Sequence, residues 1–223
     1  MNTIKILIST AALCVASAAF AQSSTSCSWL PKGDEYGQGT IGKRYAEAGL
    51  FTQSLRHTSH SVAGAGISAN LPIINHIDIS GGYDYSIFNA YDFAHIHTHR
   101  ASGNITLFNT IEDGVKPFVS VGLERSWRDS SGTMGNAFAD TRNGWNVAAG
   151  AEFPYKWFSV TPQVSYQDDF KTTSDSSQAW TVGVEVSAWV TSKIGAYVNV
   201  SFNDVLHTAD DNWVTGAGVR YRF

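Results

Sequence analysis

The feature that most limits what this chain can become is a strict alternation of apolar and small polar side chains, kept up for ten to twelve residues at a time. In residues 179–190, Trp180, Val182, Val184, Val186, Ala188 and Val190 fall on one face, and Thr181, Gly183, Glu185 and Ser187 on the other. Residues 157–168 set Phe158, Val160, Pro162, Val164 and Tyr166 against Ser159, Thr161, Gln163, Ser165 and Gln167. Residues 194–204 and 212–223 repeat the pattern, the latter with Trp213, Thr215, Ala217, Val219, Tyr221 and Phe223 on the apolar side. Successive side chains of an extended strand point to opposite faces, so each segment reads as an amphipathic β-strand. No apolar run after residue 40 is long enough for a transmembrane helix, and no helical period competes.

Soluble sandwiches also alternate, so strand length and the polar face decide between the two. Soluble strands usually run about 5–6 residues, whereas a tilted strand needs about 9–11 to cross a bilayer. The polar face here is Gly, Ser, Asn and Thr with isolated ionised residues. Charged residues make up only 15% of the chain, where a soluble domain carries about 25%. Small polar groups suit a crowded lumen, and the apolar face then meets lipid. A net charge of −4 without a Lys/Arg run excludes nucleic acid as the main partner. Two cysteines exclude a disulfide-built scaffold.

The alternation predicts strands near 44–55, 61–71, 76–88, 95–108, 117–127, 143–153, 157–167, 179–190, 194–204 and 212–223. Ten is even, as single-chain barrels of this kind require, and an open sheet would strand backbone groups in lipid. The expected fold is all-β: a closed antiparallel up-and-down transmembrane β-barrel of ten strands, with eight as the alternative. Leu71 to Asn75, Asn109 to Lys116, Pro154-Tyr155-Lys156 and Thr191-Ser192-Lys193 read as short periplasmic turns. Residues 128–142, 168–178 and 205–211 read as longer outward loops. Two places resist the scheme. Pro162 lacks a ladder donor in mid-strand and predicts a bulge or kink, and residues 44–55 put Phe51 on the face of Glu47 and Gln53.

Residues 1–21 place Lys5 before an apolar stretch and end in Ala19-Phe20-Ala21, the pattern of a cleaved secretory signal peptide. Cleavage there would leave one cysteine, Cys27. The expected organisation is a signal peptide over 1–21, a periplasmic extension or plug over 22–40, and the barrel over 41–223. Aromatic residues fall in two rows at strand ends: Trp127, Trp145, Tyr166, Trp180, Phe202 and Trp213 beside the long loops, and Phe153, Trp157, Phe158, Tyr221 and Phe223 opposite. Such rings suit the headgroup level on either side of a bilayer.

A signal peptide, ten-residue alternating strands and a last strand WVTGAGVRYRF ending in Phe223 together resemble the outer-membrane β-barrel proteins of Gram-negative bacteria. The chain is similar to the small OmpA/OmpX-type superfamily over roughly residues 44–223, at the level of class. The resemblance implies location in the bacterial outer membrane, contact with its lipid and lipopolysaccharide, and periplasmic chaperones during biogenesis. It also implies that Tyr221 and Phe223 form the signal read by the barrel-assembly machinery. No peptidoglycan-binding domain is expected after the barrel.

Parity assigns Glu47, Asp78, Asp84, Arg100, Glu124, Glu152, Glu185, Arg220 and Arg222 to the lumen, where buried charges must pair or stay hydrated. Inward Gly64, Gly66, Gly82, Gly122, Gly150, Gly183, Gly216 and Gly218 leave room or relieve coiling. His95, His97 and His99 share the outward face of the fourth strand near its loop end. They are weak metal candidates, because imidazoles ~7 Å apart cannot all reach one ion on a straight strand. A lipopolysaccharide phosphate is the other ligand they could meet, with His57 and His60 nearby. The His57-Thr58-Ser59-His60 run is similar to the His-x-Ser of lipid A deacylases. Asp168-Asp169 with His207, Asp210 and Asp211 is similar to the acid and His pairs of omptin proteases. The expectation is a non-enzymatic, cofactor-free, monomeric barrel with a structural or surface-interaction role and a lumen filled by charges. A narrow cation or small-solute pore and an outer-leaflet lipid hydrolase are the alternatives.

Overall fold

The structure is a computed structural model that describes residues 39–55, 61–90, 94–132, 140–155, 157–170, 179–203 and 212–223. The strands are β1 (Tyr45–Leu55), β2 (Ser61–Ile74), β3 (Ile77–Ala90), β4 (Ala94–Phe108), β5 (Lys116–Gly132), β6 (Asp140–Pro154), β7 (Phe158–Asp169), β8 (Ala179–Trp189), β9 (Ile194–Asn203) and β10 (Asn212–Arg222). Each pairs antiparallel with its neighbours in sequence, and β1 pairs with β10 from Tyr45↔Arg222 to Leu55↔Asn212, so the sheet closes. Every strand thereby has a partner on both sides, as the hydrocarbon interior of a membrane demands.

Parity separates two environments along the wall. Leu50, Leu123 and Val190 are 71%, 63% and 76% exposed on the outside, among many large apolar side chains there. Among the described residues the buried hydrophobic core is small, with Val115, Phe118, Ala151 and Trp189, while Asp78, Glu152, Ser159 and Arg220 are buried inside. This inverts a soluble protein and identifies the outer wall as lipid-facing. The irregular first strand follows the same rule. Phe51 points inward opposite Gly64, and a Cβ at Gly64 would strike its ring.

Three local features differ from the sequence expectation. β2 continues to Ile74, so the turn narrows to Asn75-His76, with His76 in the left-handed region at φ 72°. A register irregularity between Pro72 and Ile74 accompanies the proline there. At Pro162 the register is unshifted against β8 and returns unshifted against β6, so no bulge forms. Instead pairing with β6 lapses between Gly150↔Gln163 and Phe153↔Val160. Finally, part of the expected 128–142 loop is strand, because β5 and β6 run on as a hairpin through Arg128↔Asp140.

Since Leu50 lies midway along β1 on the lipid face, Leu50→Arg should cost about 2–4 kcal/mol of folding stability. Gln53→Arg, aimed into the lumen, should cost much less. Equilibrium denaturation from lipid vesicles measures both; equal losses would contradict the assigned parity.

Candidate functional site

The lumen is occupied in tiers. At the short-turn end, residues 39–43 do not extend β1 but fold into the barrel mouth. The Glu152 carboxylate is fully buried and accepts the Thr40 amide at 2.5 Å, the Thr40 hydroxyl at 3.0 Å, the Ile41 amide at 3.2 Å and the Ser159 hydroxyl at 3.3 Å. Lys116 Nζ lies 3.7 Å from Glu152 and donates to the Ile41 carbonyl at 2.6 Å. Asp78 accepts the Gly42 amide at 2.7 Å and the Asn70 amide group at 2.9 Å, while Asn70 also donates to the Lys43 carbonyl. Trp189 Nε1 and Arg222 both donate to the Gly39 carbonyl, and the Arg222 guanidinium stacks 3.9 Å from the Trp189 ring centroid. Gly39 has φ +69°, and a Cβ there would collide with the Glu152 carboxylate. Burial first, then Lys116 and Arg222, hold the Lys43 ammonium below its ordinary range, against a smaller opposing pull from Glu152.

One tier further in, Arg220 is 4% exposed and spans the lumen. Its Nε donates to Glu47 at 2.6 Å, and Nη1 and Nη2 donate to both oxygens of Glu185 at 2.8 and 2.9 Å. The guanidinium also sits 4.4 Å from the Tyr197 ring centroid and 5.3 Å from that of Tyr45. Ser68 completes Glu47 with a 2.7 Å hydrogen bond. A bidentate fork, a second carboxylate and two ring faces offset the desolvation of the buried charge.

A cavity of about 260 Å³ separates this clamp from the strap below, touching Thr40, Asp78 and Arg220. A larger cavity of about 490 Å³ lies on the long-loop side, lined by Asp84, Arg100, Gln167 and Asn203 among others. There Arg100 donates to Asp84 at 3.0 and 2.7 Å. Glu124 faces the lumen within the field of Arg100, with no direct hydrogen bond to it among the described residues.

The nine charges assigned to the lumen by parity therefore divide among three places. Glu47, Glu185 and Arg220 form the clamp, Asp78, Glu152 and Arg222 hold the strap, and Asp84 and Arg100 line the vestibule, with Glu124 in their electrostatic field. Gly39 and Thr40, counted with the extension in sequence, belong to the mouth of the barrel. Sequence reasoning passed over Lys116, Asn70 and Trp189, although Trp189 continues the inward series Thr181, Gly183, Glu185, Ser187. The girdle residues form ring contacts: Trp145 with Tyr166, Tyr166 with Trp180, Phe202 with Trp213, and Trp157 with Phe158. Phe153 packs beside the small Val115–Ala151 cluster, and Tyr221 is exposed.

His97 and His99 do face outward, but each offers its Nδ1 to a tyrosine, Tyr85 and Tyr83 respectively, both at 2.6 Å. No group of three metal-ligating side chains gathers among the described residues. The His95 side chain, His57–His60 and His207–Asp211 lie outside the described residues. The Asp169 amide donates to the Asp168 carboxylate at 2.8 Å. Asp169 sits 3.6 Å from Arg142, whereas Asp168 accepts from the Tyr166 hydroxyl at 3.3 Å.

Removing one side of a buried charge network leaves its partners unsatisfied, at about 3–5 kcal/mol. Glu152→Ala should accordingly lower stability by ~3 kcal/mol and release the Thr40 and Ile41 amides to hydrogen exchange. Unchanged protection of those two amides would mean that Glu152 does not hold the strap.

A family model described as the cyanophage outer membrane protein-like β-barrel domain matches residues 113–223, which carry β5 to β10. No curated protein matches the sequence. Among solved structures, Neisserial surface protein A is 16% identical with a TM-score of 0.45, over 81% of this chain and 96% of that one. The N-terminal barrel of Pseudomonas aeruginosa OprF is 13% identical (TM-score 0.42; 82% and 99% covered). The outer membrane protease OmpT of Escherichia coli is 12% identical (TM-score 0.49; 85% and 99% covered). The chain is thus a closed antiparallel β-barrel of ten strands with a lipid-facing apolar belt, and its residues 113–223 match an outer-membrane β-barrel domain family.

Proposed function

We propose that this barrel is a sealed, non-catalytic element of the bacterial outer membrane, with a structural or surface-interaction role, rather than a channel. The observation that carries the reading is the strap at the short-turn mouth, whose backbone is bonded to Glu152, Asp78, Asn70, Lys116 and Trp189. A water column would have to displace that strap and then open the Arg220–Glu185 fork, two steps that each break charge-assisted bonds. In this reading the chain is exported with its signal peptide removed and handed by periplasmic chaperones to the assembly machinery through Tyr221 and Phe223. It then stands in the membrane as a monomer.

The pore is the second reading, favoured by the two polar cavities that meet at Glu47, Ser68 and Glu185. Planar-bilayer recording separates the two. The wild-type barrel should show no stepwise current, while the double variant Glu152→Ala/Arg220→Ala should show discrete cation-preferring steps. Stepwise current from the wild type would overturn the sealed reading in favour of the pore.

A further inference from the structure

The outer wall carries a second concentration of chemistry, separate from the lumen. Near the long-loop ends of β3, β4 and β5, the register sets Tyr85 opposite His99 and His99 opposite Trp127. One step deeper, Tyr83 faces Ala101 and Ala101 faces Arg125. The His99 ring lies parallel to the Trp127 ring, 5.5 Å apart at 2°, and His97 stacks on Tyr85 at 6.0 Å. When each phenol donates to Nδ1, the Nε2 atom of each imidazole carries the ring proton and remains a donor. For His99 that atom is 3.9 Å from the Asp129 carboxylate, which is 70% exposed at the loop edge.

Arg125 is the unexpected member. It is exposed on the lipid-facing side between Leu123 and Trp127, and it has no hydrogen bond, ion pair or ring contact among the described residues. Its neighbours across the ladder on β4 are Ala101 and, diagonally, Gly103, so the wall is shallow on that side, while on β6 it faces the exposed Asn143. Every other outward position deeper on β5 is apolar: Pro117, Val119, Val121 and Leu123. A cation on the lipid face is costly near the midplane and tolerable only where it can reach water or an anion. At the depth of the aromatic girdle, the anion that a membrane supplies is a headgroup phosphate.

We propose that Arg125, together with the Nε2–H donors of His97 and His99, forms a docking site for the phosphate of a phosphorylated outer-leaflet lipid. Its acyl chains would lie over the dent at Ala101 and Gly103. Arg125 supplies the charge and the planar fork, Trp127 and Tyr83 the amphipathic walls, and His99, two register steps above, and His97, four steps above, further donors along the same face. Asp129 sets the upper limit of the site by repelling a second anion beyond His99.

Native mass spectrometry of the full barrel in detergent, titrated with bisphosphorylated lipid A or its dephosphorylated form, tests this directly. The wild type should retain the phosphorylated lipid in preference to the dephosphorylated one. Arg125→Gln should weaken retention ~tenfold, the scale of one lost charge-assisted contact. His97→Gln/His99→Gln should weaken it less, and Arg125→Lys should keep most of it. Heat-modifiable migration on unboiled gels confirms that each variant is folded. Equal retention of both lipids by the wild type, or undiminished retention by folded Arg125→Gln, would overturn the site. The result is independent of conductance, because none of these residues faces the lumen.

Discussion

Everything in this molecule depends on the absence of water around its backbone. In a bilayer, each N–H and C=O without a partner costs several kcal/mol, so the ladder between β1 and β10 has to form even though the two strands lie at opposite ends of the barrel sequence. Eleven consecutive pairs, from Tyr45↔Arg222 to Leu55↔Asn212, provide that closure. Once closed, the wall has no edge, and the alternation along each strand then divides the side chains between two solvents. The lapse at Pro162 is tolerable for the same reason: its strand keeps a continuous ladder with β8 while losing only two pairs to β6.

Closure creates a second problem, because an enclosed space of this width cannot be left as bulk water without surrendering packing, nor filled with apolar groups without confusing inside and outside. The chain fills it with ionised groups held by one another. Arg220 is the centre, since its fork, its Nε and its flat face engage two carboxylates and two aromatic rings at once. A lysine could satisfy only part of that set, being a point charge without a planar face. At the short-turn end the same logic recruits backbone: Glu152 and Asp78 bind amides of residues 40–42 in place of further cations. The ionised groups of the interior are thus largely paired without requiring equal numbers of acids and bases.

The fold was legible because alternation is a local property that the barrel preserves in every strand. Parity places nine charges on the inward face, but their grouping is not readable from it. Glu47 and Arg220 are opposite one another only after β1 meets β10, and Glu185 joins them only through the curvature of the closed wall. The strap was missed for a different reason. Its residues carry no periodicity and little side-chain chemistry, and their contribution is made by peptide groups that composition does not reveal. Arg125 escaped because the pattern on β5 is convincing from Val119 to Leu123 and breaks just where the wall leaves the apolar belt.

That break points to a general feature of the arrangement. The inward face is specified by mutual satisfaction, so a charge there says little about ligands. The outward face is specified by a solvent that rejects charge, so a cation without a protein partner on that side implies something outside the protein that stabilises it. Arg100 and Arg125 lie on adjacent strands, one residue apart in register, and illustrate the contrast. Arg100 points inward and is held by Asp84, whereas Arg125 points outward among Leu123 and Trp127 with no anion in contact among the described residues. The same residue type therefore stabilises the barrel's interior in one case and, in the other, is the basis of the proposed phosphate site.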